Sequence, residues 1–460
     1  MTDRHPTVKP VLGDRTAEDL RDPGQQPVAS VWDRLRAHLR TPLFATAYAL
    51  IVNTGATALL GFAYWVAAAR LYDVSAVGLA SAAIAAMTLL AGLAQLNLEA
   101  VLVRFLPITG TGIRRLVRTV YLLCIALAVG VGLLFLFSLK WWAPSLGFLQ
   151  TSEWNVWFVA GIVVWVIFVL QDGVLVGLGK AVWVPIGNIV FGAGKLIVLL
   201  LLADDGNPLS IFVSWTAPLL LVVVLMTALI FLRLIPSHIR QVEGSAPHYA
   251  IGEAVRYASG DYVGAMFELG SISLLPLLIT WTAGPEETAY FYQGWIIAYT
   301  LILVSHNMTR SLMVEATRDQ AQLMPYGRLV FRHMLGLLVP AVIVLVFAAP
   351  LLLSVSGPAY AAGGTRTLRW LALAALPHAV VLLALASARV KQRVGEVIVI
   401  QAITSAFVFG FSLVLTPRLG GEGAAIGWLV SQIIVAAALL ATRLRWLVRI
   451  PTTTSGQVGV

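Results

Sequence analysis

The sequence predicts an all-α, polytopic membrane protein with about twelve transmembrane helices in two pseudo-symmetric six-helix lobes. Three observations lead there: an apolar composition, a series of apolar runs of membrane-spanning length, and a repeat that relates the second half of the chain to the first. Of 460 residues, 59% are hydrophobic and 12% charged, roughly half the charge share of an ordinary soluble domain. A soluble core stops growing near roughly 250–300 residues, so a chain this long and apolar must turn nonpolar surface toward lipid.

Residues 1–40 mix Asp, Arg, Pro, Gly and Gln without an apolar run, so they lack the apolar stretch of a cleaved signal peptide. They read as a disordered cytoplasmic tail, with Val31 to Arg40 as a short interfacial helix. The N-lobe, 41–234, holds apolar runs at about 43–69, 77–103, 116–138, 155–178, 181–203 and 209–232, each near the roughly 20 residues that cross a bilayer as helix. A cytoplasmic linker at 235–256, with Pro236, Glu243, Gly244, Pro247 and Glu253, is the longest polar interruption after the tail. The C-lobe, 257–446, follows with runs at about 257–281, 287–309, 328–355, 367–388, 394–415 and 423–442, and 447–460 form a cytoplasmic C-terminal tail.

Alternate loops face opposite sides, and the Lys and Arg count orients them. One side collects the N-terminal tail, Arg104, Arg114, Arg115, Arg118, Lys180, Arg233, Arg240, Arg256, Arg310, Arg318, Arg328, Arg332, Arg389, Lys391, Arg393, Arg443, Arg445 and Arg449. The other holds Arg70, Lys140, Arg366, Arg369 and Arg418, with Asp73, Glu153, Asp204, Asp205, Glu286, Glu287 and Glu422 in short loops. The expected address is therefore the cytoplasmic membrane of a bacterium, with both termini cytoplasmic.

The halves read as copies. Arg115-Leu116-Val117 aligns with Arg328-Leu329-Val330, the turn Asp73 to Gly78 with Gly284 to Ala289, Lys180 with Lys391, and Ser214-Trp215 with Gly427-Trp428, all about 211–213 residues apart. Six spans per copy start both copies on the same side, so an axis along the membrane normal relates them. A cleft between the two lobes is the expected substrate route.

The same residues exclude several classes. The net charge of +9 is spread between apolar runs instead of on one amphipathic surface, which marks topology determinants and not a nucleic-acid face. Cys124 is the only cysteine and lies in an apolar run, so it reads as a core residue and no thiolate metal cluster is available. No cofactor is expected beyond a coupling proton or Na+. Gly192-Ala193-Gly194-Lys195 is not a phosphate loop, because Leu196 stands where Ser or Thr must hold magnesium. His238, His248, His333 and His378 are scattered without metal-ligand spacing and read as structural or solvated.

Ionisable groups within spans cost about 2.5–3.5 kcal/mol each on insertion scales, which singles out Asp172, Lys195, Asp261 and Glu268. Asn188 and Lys195 are seven apart, as are Asp261 and Glu268, so each pair shares a helix face. Lys195 and Glu268 fall at similar depth, and the expectation is that they face each other across the cleft and pair in one conformational state; a packing ion pair or snorkelling within one lobe is the competing reading. In the eighth span Tyr292, Tyr299 and His306 share a face at seven-residue spacing, beside Trp295. They suit a sugar, although for the outer members an interfacial aromatic belt around Tyr290 to Trp295 is the simpler reading. Gln95 and Glu99 lie four apart near the cytoplasmic end of the second span, and Arg104 and Arg310 close their spans on that side. Those arginines are candidates to meet a lipid-linked pyrophosphate, against ordinary positive-inside anchoring.

From Leu43 to Pro107, the runs Gly61-Phe62, Ala67-Ala68-Ala69-Arg70-Leu71-Tyr72, Val77-Gly78-Leu79-Ala80-Ser81-Ala82 and Arg104-Phe105-Leu106-Pro107 resemble the opening of polysaccharide-biosynthesis flippases of the multidrug/oligosaccharidyl-lipid/polysaccharide exporter (MOP) superfamily. Gln171-Asp172, Gly177-Leu178-Gly179-Lys180, Trp183-Val184-Pro185 and Asn188, on to Lys195, resemble that family's fourth and fifth spans. The resemblance implies a two-lobed, alternating-access transporter that moves a polyprenyl-pyrophosphate-linked oligosaccharide to the outer leaflet, with membrane lipid, glycosyltransferases and other glycan-assembly proteins as partners. The cavity arginines and two additional spans of the peptidoglycan-precursor flippases are not seen, so a capsule, exopolysaccharide or related glycan is favoured. A cation-coupled drug or metabolite antiporter of the same superfamily is the nearest alternative. A membrane glycosyltransferase or polymerase, which needs larger outer loops, and a non-transporting scaffold rank lower.

Overall fold

The computed structural model describes residues 42–109, 112–142, 144–203, 206–241 and 251–448. The expected tail 1–40 with its helix Val31 to Arg40, the loop acids Asp204 and Asp205, residues 242–250 of the expected linker and residues 449–460 of the expected C-terminal tail lie outside the described residues. Asp261 is described only as a backbone position.

Among the described residues there are 14 α-helices: α1 (Pro42–Leu71), α2 (Val74–Gln95), α3 (Leu98–Phe105), α4 (Ile113–Trp142), α5 (Ser152–Gly177), α6 (Trp183–Leu201), α7 (Pro208–Leu229), α8 (Ile235–Gln241), α9 (Ile251–Thr282), α10 (Pro285–Arg318), α11 (Leu323–Ser354), α12 (Pro358–Val390), α13 (Val394–Thr442) and α14 (Arg445–Val448). Nine of the helical segments are long and apolar enough to cross a membrane. The apolar runs of the sequence fall on α1, α2 with α3, α4, α5, α6, α7, α9, α10, α11, α12 and the two arms of α13. Helix α10 is long enough but does not meet that apolar criterion, because polar side chains recur along its whole length.

Three departures from regular helix shape the bundle. Helix α13 folds back at Gly420, whose φ of 61° and ψ of −143° belong to a region that only glycine enters freely. The Glu287 carboxylate accepts the Gly421 N–H at 2.8 Å, pinning that break to α10. Between α2 and α3 the chain is interrupted at Leu96 and Asn97, consecutive non-glycine residues with φ of 52° and 56°. This interruption splits the run expected at 77–103. Helix α7 passes through a π turn, Ile230–Leu234, straight into α8, so the expected linker 235–256 is helical over Ile235–Gln241 and from Ile251 onward.

Helix α2 lies at the centre, packed on α9 and α10 and also on α4, α5 and α7. It reaches this position because its sequence is built of Ala, Gly and Ser, and small residues let helix backbones approach in a membrane protein. A Cβ at Gly78 would fall 1.8 Å from the Pro285 carbonyl oxygen. The two turns that the repeat pairs, Asp73 to Gly78 and Gly284 to Ala289, therefore touch. Helix α12 is the counterpart centre for α10, α11 and α13; 83% of its apolar window is buried, against 17% for the outer helix α11. On α11, Leu337, Ile343, Val344, Phe347 and Leu351 are exposed, the pattern of a lipid-facing surface.

Helix alternation gives the bundle an end with Arg70, Asp73, Pro285 and Val355, here the Arg70 end, and an opposite end with Arg104, Lys180, Arg310 and Lys391. At the Arg70 end the guanidinium donates from Nε to the Val355 carbonyl at 2.7 Å and from Nη2 to the Ser354 carbonyl at 2.9 Å. These carbonyls end α11, where helix C-terminal oxygens lack intrahelical partners and attract cations.

Candidate functional site

Helices α9, α10, α12 and both arms of α13 bring their polar side chains to one place. Gln401 donates from Nε2 to Glu268 Oε2 at 2.7 Å, and His306 Nε2 stands 3.6 Å from Glu268 Oε1. Behind them the buried His378 is hydrogen-bonded through Nδ1 to Gln432 Oε1 at 3.1 Å, with its ring 6.3 Å from that of His306. Ser271 and Ser405 share a 2.6 Å hydroxyl contact, and Ser405 also donates to the Phe267 carbonyl at 2.7 Å. These groups and Trp428 line a narrow pocket of about 30 Å³, room for about one water molecule. Buried Gln401 Oε1 and Gln432 Nε2 have no hydrogen-bond partner, and orphaned polar atoms at a pocket wall mark a place for water or a ligand.

Lys195 sits elsewhere. On α6 it is 6% exposed, and its ammonium lies 4.1 Å from the Trp215 ring centroid, 4.9 Å from that of Tyr64 and 5.1 Å from that of Phe191. The box is supported by Trp65 and Trp165 against Trp215. A desolvated ammonium over aromatic faces gains about 2 kcal/mol. The expected Lys195–Glu268 pair is thus absent in this conformation: the lysine is held by rings of α1, α6 and α7, and the carboxylate by Gln401 of α13 and His306 of α10. Of the two tryptophans that the sequence repeat pairs, Trp215 forms the lysine box and Trp428 lines the Glu268 pocket.

The other sequence candidates are dispersed. Asn188 is half-buried on α6, one heptad before Lys195. Tyr292 lays its ring on Trp65 of α1, centroids 4.7 Å apart, and Tyr299 stacks with Trp295 at 6.0 Å. Asp172, half-buried on α5, is in electrostatic reach of Glu99. Asp261 lies on α9 seven residues before Glu268. Arg104 ends α3 with its guanidinium 5.9 Å from the Phe105 ring centroid; Arg310 is exposed on α10 and acts electrostatically on Glu99.

Sequence reasoning missed His378, Gln401, Gln432, Ser271 and Ser405. In the sequence His378 is one of several scattered histidines; burial and the approach of α10 place it behind His306. A signal was present in Gln401 and Gln432, uncharged amides inside apolar runs, but such residues lack the cost that makes a charged group conspicuous. Among the described residues no group of three or more His, Cys, Asp or Glu side chains forms a metal centre.

No protein-family model matches the sequence, and no curated protein sequence matches it. Solved structures do share the fold. An inward-facing multidrug resistance MATE family transporter of the MOP superfamily superposes with a TM-score of 0.66 at 13% identity, covering 85% of this chain and 94% of that one. The lipid II flippase MurJ in an inward closed conformation gives 0.64 at 11% identity, covering 86% and 88%. An outward-facing MATE family transporter gives 0.59 at 15% identity, covering 87% and 94%. The chain is a multi-pass membrane protein with the fold of MOP-superfamily transporters.

Proposed function

We propose that this protein is a flippase that moves a lipid-linked oligosaccharide or polysaccharide precursor across the cytoplasmic membrane by alternating access. The observation that carries the reading is the polar helix α10, set against α2 inside a fold that MurJ, a lipid II flippase, also adopts. A glycan head group needs polar surroundings, which the side chains along α10 can supply, while its lipid tail can remain in the bilayer. The sequence resemblance to polysaccharide-biosynthesis flippases points the same way. In this reading both termini are cytoplasmic, the two halves form the moving lobes, and the Arg70 end is the outer end. The substrate is a polyprenyl-linked glycan, and glycosyltransferases and other glycan-assembly proteins are its partners.

The Glu268 pocket, with its carboxylate, two histidines and orphaned amide atoms, favours a second reading: cation-coupled export of a drug or metabolite. Reconstitution into vesicles with candidate lipid-linked sugars separates the two. The flippase reading expects protein-dependent movement of the head group between leaflets, impaired by Glu268→Gln. Vesicles that exchange small organic cations for protons or Na+ but leave every lipid-linked sugar in place would overturn it.

A further inference from the structure

Because α13 folds back at Gly420, its first turn and the residue after its last turn meet again. Arg443 Nε lies 2.9 Å from Glu396 Oε1, and Arg393 Nη1 lies 3.5 Å from Glu396 Oε2. Beyond this ion-paired mouth the two arms do not close on each other. A groove of about 440 Å³ runs between them. Val399, Ile403 and Phe407 line it from the first arm, and Ile434 and Ala438 from the second; within each arm these residues are four apart and share one helix face. All five are exposed, so the groove is open along the side that a bilayer covers.

The mouth leads into a second, polar pocket of about 160 Å³ where α12 gives way to α13. Lys391, Arg393 and Arg443 supply cations to it, and Glu396 is its one carboxylate. That carboxylate is shared by the two arginines, and the exposed Lys391 forms no ion pair among the described residues. Glu396, Thr442 and Arg443 line both cavities, so the cationic pocket and the apolar groove are continuous. The first N–H groups of α13, which lack intrahelical acceptors, add to the attraction for an anion at the same spot. Positive-inside anchoring explains why cations lie at this end of the bundle, but not why they ring a pocket that leads into an open groove.

We propose that this paired cavity binds an anionic phospholipid, with its phosphate against Lys391 and Arg443 and one acyl chain in the groove between the arms of α13. Length selects the chain: Gly395 to Phe407 is about 18 Å of helix at about 1.5 Å per residue, close to half of the roughly 30 Å hydrocarbon core. That is the reach of one leaflet, which suits an acyl chain and is too short for a polyprenyl carrier. Charge selects the headgroup, because the surplus of cations repels the ammonium of a zwitterionic lipid and attracts a net negative one. The site is remote from the Glu268 pocket and holds whatever the transported substrate is.

The test is native mass spectrometry of the purified, detergent-solubilised full chain titrated with phosphatidylglycerol, phosphatidylethanolamine or polyprenyl phosphate, with folding followed by gel filtration and thermal melting. Phosphatidylglycerol should be retained roughly tenfold more strongly than phosphatidylethanolamine and should raise the melting temperature. Lys391→Gln combined with Arg443→Gln should weaken its retention by roughly tenfold or more. Ala438→Phe fills the groove without altering charge and should weaken it comparably, whereas Arg332→Gln, which removes an exposed cation of α11 at the same end, should leave it unchanged. Equal retention of the two phospholipids overturns the proposal, as does retention in folded protein that survives both the cation double variant and Ala438→Phe, or that falls equally in Arg332→Gln. Stronger retention of polyprenyl phosphate than of phosphatidylglycerol overturns it as well, by making the groove a dock for a glycan carrier.

Discussion

Arg70 donates two hydrogen bonds, at 2.7 and 2.9 Å, to the carbonyls of Val355 and Ser354, tying the end of α1 to the end of α11. The bridge spans 285 residues of sequence and closes one end of the bundle. Arg70→Ala should shift the protein toward a form open at that end. In a Cys124→Ser background, a cysteine at buried Ala289 should react with a water-soluble maleimide about fivefold faster when Arg70 is absent, the modest factor befitting an exposed charge. Arg70→Lys should rescue only partly, since an ammonium lacks the planar fork that reaches two carbonyls.

Gly78 and Pro285 make a closer approach than any side chain permits, with a hypothetical Cβ 1.8 Å from backbone oxygen. Backbone cannot rotate away as a side chain can, so Gly78→Ala should prevent the two turns from meeting. On the proposed function, the expected result is head-group movement in vesicles reduced at least tenfold, with fast labelling at position 289 irrespective of Arg70. Normal transport and slow labelling in Gly78→Ala would contradict the closed contact.

The lysine box has its own signature. An unpaired buried ammonium is costly, so Lys195→Met, similar in length and apolar, should melt no lower than the native protein. Trp215→Ala should destabilise by about 3–5 kcal/mol through the cavity it leaves. Exchanging the two charges, Lys195→Glu with Glu268→Lys, should fail to restore whatever either single change removes, because each residue has its own surroundings. Recovery of transport in that double variant would reveal a state in which the two do pair.

Gly420 and Glu287 set the fold-back of α13. Gly420→Ala is strained twice, by its backbone conformation and because a Cβ would lie 2.2 Å from Glu287 Oε2, so little folded protein should be recovered. Glu287→Ala leaves the Gly421 N–H without its acceptor and should cost about 1–3 kcal/mol, measured as a lower melting temperature of a protein that still folds.

The apolar runs were legible because a bilayer imposes one length on every crossing helix, and the break within α13 was visible as the gap between the runs at 394–415 and 423–442, though not its placement at Gly420. Of the three residues at heptad spacing on α10, His306 reaches the Glu268 pocket, whereas Tyr292 and Tyr299 pack on Trp65 and Trp295. The break at Leu96 and Asn97 was not legible: neither residue is a glycine or proline, and the surrounding pattern continues as helix. Partners were hidden for a related reason, since Glu268 could be recognised as costly in lipid but Gln401 and His378 reach it only through helix packing.

By itself, then, the chain determined an all-helical membrane bundle, because hydropathy acts locally and each span must satisfy its own backbone. Which charges meet was decided by tertiary structure alone. Small residues set how near the helices come: Gly192 and Gly194 seat α6 against Leu60 and Pro218 beside the aromatic box of Lys195, Gly264 admits Gln401 one turn from Glu268, and Gly173 brings α5 onto Glu99.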